Sequence, residues 1–260
     1  MPVIEKHKER KGMEILGIDI GGSGIKGAPV NIETGELTAE RFRVPTPKPA
    51  KPENVAEAVK KLVDHFQWTG PIGCGFPTVV NNGMSVTKSN IHKSWVGTQV
   101  DALFSEKTGL PVTVINDADA AGLAEMTYGA GKGKNGLVIT VTIGTGLGTG
   151  VFYDGKLIPN FELGRVFYKN GEIIEYYAAD SARKNENLTY KAWGKRFNKF
   201  LKHTNRILSP DLFILGGGAS KKLELFENQI TVDVPILVAE KRNDAGIIGA
   251  ALAAYHWPKK

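Results

Sequence analysis

EILGIDIGGSGIKGAPVNIETGELTAERFRV, residues 14–44, is the stretch whose reading decides the fold. Its apolar runs are short, rich in Ile and Val, and bounded by glycine or by the Thr34-Gly35 turn. That pattern predicts three antiparallel strands joined by tight turns. A GxGxxG spacing (Gly22, Gly24, Gly27) follows the first strand, as in dinucleotide-binding folds. Such a fold needs a helix directly after the glycines. Ala28-Pro29-Val30 stands there instead, and proline with β-branched neighbours makes a strand. The P-loop pattern GxxxxGK[ST] is absent from both glycine turns.

Downstream, PTPKPAKP (45–52) reads as an extended linker, and Pro52 opens a helix with Val55, Val59, Leu62, Val63 and Phe66 on one face. PIGCGF (71–76) is a strand, VVNNGMSVT (79–87) a hairpin around Asn82-Gly83, and LPVTVIN (110–116) a strand running directly into the helical DADAAGLAEMTYGAG. The grammar then restarts. LVITVTI (137–143) is a strand, GTGLGTG (144–150) a glycine turn, and GVFYD with KLIP a hairpin around Asp154-Gly155. A mostly helical stretch covers about 172–207. DLFILGGG (211–218) follows as a strand, then a helix, the strand VPILVAE (234–240) and the apolar helix AGIIGAALAAYHW (245–257). One unit recurs: strand, glycine turn, hairpin, then helix-strand-helix. The expected division is a flexible tail over 1–13, an N-terminal lobe over 14–118 and a C-terminal lobe over 119–260. The last helix is expected to pack back on the first lobe, and two facing lobes leave a cleft for a ligand.

Composition narrows the class. The 260 residues are 42% hydrophobic and 23% charged, enough to build real cores. No apolar run reaches the roughly 18 residues a bilayer span needs, and the polar start lacks a signal-peptide core, so a cytoplasmic address with no membrane partner is expected. A single cysteine, Cys74, excludes an internal disulfide framework. The net charge of +6 is compatible with a polyanionic ligand. Terminal lysines and arginines inflate that figure without forming a patch, and no nucleic-acid partner is expected.

Glycine between two strands lets backbone N–H groups approach an anion closely. Gly21, Gly22, Ser23 and Gly24 with Lys26, and Gly144, Thr145 and Gly146, supply two such turns in matching places, and Asp19 stands beside the first. A bare tight hairpin would explain one turn better than two. Gly217 and Gly218 end a further strand, where an anion or a flat base could meet bare backbone.

Asp19 to Gly27, NDADAAGLAE (116–125), the turn at 144–150 and the GGG at 216–218 together resemble the ROK sugar kinases, and within them the polyphosphate glucokinases. KSNIHKSWVGT (88–98), LIPNFELG (157–164), PDLFILGGG (210–218) and AGIIGAALA (245–253) extend the likeness across residues 15–254 in consistent order. The resemblance implies an α/β, two-lobed, actin-like ATPase (ribonuclease H-like) fold with duplicated βββαβα units and a central cleft. It implies phosphoryl transfer from polyphosphate, ATP or both to the 6-hydroxyl of glucose, with Mg²⁺ as cofactor, in a homodimer.

A sugar hydroxyl needs its proton removed as it attacks phosphorus. Asp117 matches the family's base; its plainer reading is a helix N-cap. Asp19 matches the acid that holds Mg²⁺ through water near the donor phosphates. Asn90, Asn116, Glu162 and Glu175 match sugar contacts, which must accept or donate hydrogen bonds. Trp95 and Cys74 read as packing. Two departures stand out. Arg165 follows Glu162-Leu163-Gly164 where the family usually has histidine, and arginine is longer, permanently charged and donor-only. The Cys-rich zinc motif of many ROK kinases is missing, as in the polyphosphate branch, and no zinc is expected. Rival readings are an ATP-dependent kinase for another hexose and a non-catalytic sugar sensor. A ROK repressor would need an N-terminal helix-turn-helix, and about 13 residues precede the first strand.

Overall fold

The computed structural model describes residues 13–88 and 91–258. The tail expected at the N-terminus, but for Met13, and Asn90 therefore lie outside the described residues. Strands β1 (Glu14–Ile20) and β2 (Ile25–Asn31) pair antiparallel from Glu14↔Asn31 to Ile20↔Ile25, closed by the first glycine turn. The expected third strand is broken in two. β3 (Glu36–Leu37) and β4 (Phe42–Val44) each pair with β2, and residues 38–41 between them belong to neither strand, although the Thr38 N–H still donates to the Pro29 carbonyl at 2.9 Å. There Arg41 reaches the Asp244 carboxylate at 2.9 Å.

Helix α1 (Pro52–His65) buries Val55, Val59, Leu62 and Val63, as its spacing requires. After β5 (Ile72–Phe76), the short β6 (Val80–Asn81) and β7 (Met84–Ser85) form the expected hairpin, with Asn82 and Gly83 both left-handed at φ 49° and 79°. Helix α2 (Val100–Thr108), β8 (Val112–Asn116) and α3 (Asp117–Tyr128) follow. β5 and β8 extend β1 in parallel, giving the order β3-β2-β1-β5-β8.

The second sheet repeats the plan. β9 (Leu137–Ile143) and β10 (Leu147–Tyr153) close the second glycine turn at Ile143↔Leu147, and β11 (Lys156–Ile158) completes the hairpin. Helices α4 (Glu175–Ala178), α5 (Asp180–Asn185) and α6 (Tyr190–Leu208) precede β12 (Leu212–Gly216), β13 (Ile236–Val238) and α7 (Ala245–His256). The sheet order is β11-β10-β9-β12-β13, with β12 parallel to both neighbours. Two expectations need correcting. Residues 219–225 form 3₁₀ turns, not an α-helix, with Lys222 off helical geometry at φ −120°. Buried Phe226, packed on Trp193 at 4.7 Å, anchors the chain just beyond. VPILVAE contributes only three residues to the ladder.

The core falls into three clusters. One lies between the first sheet and α1 and α2, where Phe76, Trp95 and Phe104 meet edge to face and the Trp95 indole N–H donates to the Ala50 carbonyl at 2.8 Å. Trp95 is thus packing, and Cys74 is fully buried beside it. A second gathers Trp193, Phe197, Phe200 and Phe226 beneath the second sheet. The third joins residues of both sheets through α3 and α7. Here backbones nearly touch: a Cβ on Gly73 would lie 1.7 Å from the Ala250 carbonyl oxygen, and one on Gly249 1.6 Å from that of Ala120. Only glycine permits such contact. Among the described residues no helix is long and apolar enough to cross a membrane.

Candidate active site

The parallel strands β1, β5 and β8 of one sheet and β9 and β12 of the other end around a cavity of about 690 Å³. Its floor is the start of α3. Asn116, the last residue of β8, caps that helix: its side-chain oxygen accepts from the N–H groups of Ala118 (2.9 Å) and Asp119 (3.0 Å). The cap therefore belongs to Asn116, which leaves the neighbouring Asp117 carboxylate facing the cavity and accepting, among the described residues, from the Ala118 N–H alone at 2.8 Å. Burial raises the Asp117 carboxyl to about 7, the charges of Asp19 and Glu162 add to the rise, and the Ala118 N–H opposes it.

Glu162, Arg165 and Glu175 enter the same cavity from the second half of the chain. The Asn116 side-chain N–H₂ bridges to them, donating to Glu162 Oε1 at 3.2 Å and to the Thr78 carbonyl at 2.9 Å. Burial raises the Glu162 carboxyl, Arg165 opposes that, and Glu175 adds to it. Glu175 also accepts the Leu147 N–H at 3.1 Å, and a Cβ on Gly146 would meet its Oε2 at 2.6 Å. The acid thus braces the second glycine turn as well as lining the cavity. Carboxylates, a carboxamide and a guanidinium around one hollow suit a polyhydroxylated ligand.

Gly21, Gly22, Gly144, Thr145, Gly146 and Gly217 line this cavity too. Each turn is closed by a backbone bond, Gly21 N–H to the Gly24 carbonyl and Gly144 N–H to the Gly146 carbonyl, both at 3.0 Å. A second cavity of about 230 Å³ shares Asp117, Thr142 and Gly217 with the first and adds Asp19, Lys26 and Arg242. Asp19 faces Lys26 Nζ at 3.9 Å and lies under the start of α7, where a Cβ on Gly246 would come within 3.0 Å of its carboxyl carbon. Burial raises the Asp19 carboxyl, and Lys26 opposes the rise. A third hollow, about 470 Å³, holds Gly217, Gly218, Lys221 and Arg242.

Ser23 and Gly24 line none of these three hollows. Gly24 has a steric duty instead: the Arg43 guanidinium lies where its Cβ would be, with Nε at 2.3 Å, and donates to the Ser23 carbonyl at 2.5 Å. Arg43 was not among the expected site residues, because only the β2–β4 pairing sets it opposite Lys26. Arg242, at φ 50°, was missed for the same reason; its place beside Gly217 exists only once α7 is docked. Thr78 and Tyr176, which also line the main cavity, carried no sequence signal. Among the described residues no group of three or more His, Cys, Asp or Glu side chains could hold a metal ion by itself.

Comparison with known proteins places the sequence and the fold. The family model for the ROK family matches residues 15–160. The polyphosphate glucokinase of Mycobacterium tuberculosis is 44% identical over 240 residues, spanning 92% of this chain and 90% of that protein. The crystal structure of the inorganic polyphosphate/ATP-glucomannokinase from Arthrobacter sp. strain KM superposes with a TM-score of 0.89 at 43% identity, covering 94% of this chain and all of that one. A ROK family glucokinase from Streptomyces griseus, solved with glucose and AMPPNP, shares the fold with a TM-score of 0.80 at 23% identity, over 94% of this chain and all of that one. The architecture is that of the actin-like ATPases.

Proposed function

This chain belongs to the ROK family, and from that premise we propose that it is a hexose kinase. It moves a phosphoryl group from inorganic polyphosphate, and from ATP, to the 6-hydroxyl of glucose, with Asp117 as general base. The observation that carries the reading is that Asp117 lines both the hollow of Asn116, Glu162 and Arg165 and the hollow of Asp19, Lys26 and Arg242. A base for phosphoryl transfer has to stand between acceptor and donor.

In this reading glucose occupies the larger cavity, its hydroxyls held by Glu162 and Glu175, with Asn116 orienting Glu162 and Arg165 donating in place of the family's histidine. Asp117 takes the proton of the 6-hydroxyl as the oxygen attacks the terminal phosphorus. The bond from phosphorus to the bridging oxygen breaks, and the shortened donor leaves with that electron pair. The glycine turns offer N–H groups to the phosphate oxygens, and Lys26 supplies a nearby positive charge. Asp19 fits a Mg²⁺ ion bound chiefly by donor phosphates and water, a mode that needs only one or two protein carboxylates. When bound, such an ion neutralises charge on the transferring group. The 470 Å³ hollow beyond Gly217 leaves room for a nucleoside or for the next units of a polymer.

The deciding experiment is steady-state glucose phosphorylation with long-chain polyphosphate or ATP at equal phosphate concentration, with Asp117→Asn as control. Activity with polyphosphate that the substitution abolishes supports the whole reading. Activity with ATP alone removes the polymer from it. No transfer to any hexose from either donor overturns the kinase assignment.

A further inference from the structure

We infer that Asp119 is a positioning residue for hexose binding, holding the loop that carries Glu162 in register with the helix end that carries Asp117. Asp119 is the third residue of α3 and is only 1% exposed. Its Oδ2 accepts the backbone N–H of Asn160 at 2.8 Å. Asn160 is left-handed, at φ 66°, and its carboxamide both accepts from the Val80 N–H (3.1 Å) and donates to the Val80 carbonyl (2.9 Å). Past Glu162, the Leu163 N–H donates to Thr149 Oγ1 at 3.0 Å, and the same hydroxyl donates to the Phe161 carbonyl. Glu162 thus sits between two anchors, one on β10 and one on α3.

Phe161 and Leu163 pack on the core beneath the second sheet, but the Asn160 end of the loop borders a cavity instead. That cavity, of about 300 Å³, is lined by Asp119, Asn116, Leu157, Pro159, Asn160 and Trp257. At that end the loop takes its position from its hydrogen bonds. The other Asp119 oxygen, Oδ1, is buried with no hydrogen-bond partner among the described residues. An unmatched buried acceptor is costly. Among the described residues, the one bond this carboxylate accepts goes to the loop that carries Glu162.

The inference rests on Glu162 as a hexose contact. The test measures glucose affinity by calorimetry, KM for glucose and for polyphosphate, and amide hydrogen exchange over residues 160–163, in full-length Asp119→Ala and Asp119→Asn proteins. Losing one such anchor should weaken glucose binding about tenfold, as expected for a buried bond to a charged group, speed the exchange, and leave the polyphosphate KM unchanged. Asparagine keeps an acceptor for the Asn160 N–H and should restore both readouts. Unchanged exchange in Asp119→Ala, or hexose and donor KM rising together, overturns the inference. So does faster exchange without weaker glucose binding, and in that case the kinase reading survives. If Asp119→Ala does not fold, Asp119→Ser, too short to reach the Asn160 N–H, must show the same hexose-only weakening. Glu162→Gln with wild-type glucose affinity would defeat the site reading, and this inference with it.

Discussion

Asn116 and Glu162, 46 residues apart, meet across 3.2 Å, the carboxamide donating to the carboxylate. The same Asn116 caps α3 through its oxygen. One side chain therefore fixes the helix that presents Asp117 and ties it to the opposite wall of the cavity.

Asn116→Ala is expected to cost about 1–3 kcal/mol of stability, the range for losing a cap together with buried hydrogen bonds, and to raise the glucose KM. Urea unfolding with parallel kinetics checks it. Asn116→Asp keeps the capping oxygen but sets a second carboxylate against Glu162, so it should lose less stability while still impairing glucose binding. Equal stability loss in both variants would show that the cap contributes little.

Asp117→Asn should lower kcat by about 10²–10⁴, the usual worth of a positioned general base, while the fold survives because Asn116 holds the cap. In the wild type, kcat/KM for glucose should rise with pH and level off above about 7, where the Asp117 carboxyl ionises. A profile flat from pH 5 to 8 would remove Asp117 from the role of base.

Stability should move the other way. The folded protein holds the Asp117 proton up to about pH 7, whereas the unfolded chain releases it near the ordinary carboxylate value of 3.8. The folded state therefore binds more protons between those values, and stability falls as pH rises through that window. Asp117→Asn removes that loss, so it should melt above the wild type at pH 8 and match it more closely at pH 4. Melting curves at the two pH values decide this.

Gly24→Ala should displace the Arg43 guanidinium, since the new Cβ would lie 2.3 Å from Nε. The first glycine turn then loses its bond to the Ser23 carbonyl, and the polyphosphate KM should rise several-fold with the glucose KM unchanged. Arg43→Ala should give the same pattern. A change confined to glucose would place this turn on the wrong side of the site.

Lys26→Ala should raise the donor KM about tenfold, the loss of one charge-assisted contact, and reduce the salt dependence of polyphosphate use. Kinetics across a salt series test it. If the salt dependence is untouched, Lys26 serves only Asp19.

Much of this was legible along the chain. Strand runs, glycine turns and the Asn82-Gly83 hairpin are local patterns of period and turn chemistry, so residues a few positions apart settle them. The positions of Asp19 beside the first glycine turn and Asp117 at a strand end belong to that class, whereas Asn116 is singled out only through the family resemblance. The broken third strand and the 3₁₀ turns after Gly218 were not legible, because Arg41 and Phe226 answer to distant partners, Asp244 and Trp193.

The sequence by itself determined the repeated strand-turn-strand plan, the bare glycines and the acids beside them, since backbone freedom and strand period are written residue by residue. Only the tertiary structure decided which acids share a hollow, that Asn116 rather than Asp117 is the cap, and that Arg242 joins the Asp19 hollow while Arg43 holds the Ser23 carbonyl and Asp119 the Asn160 N–H. Those facts depend on the close approach of α7 to β5 at Gly73 and to α3 at Gly249, and on contacts between segments far apart along the chain. Pairing and packing create such contacts, and no local pattern announces them.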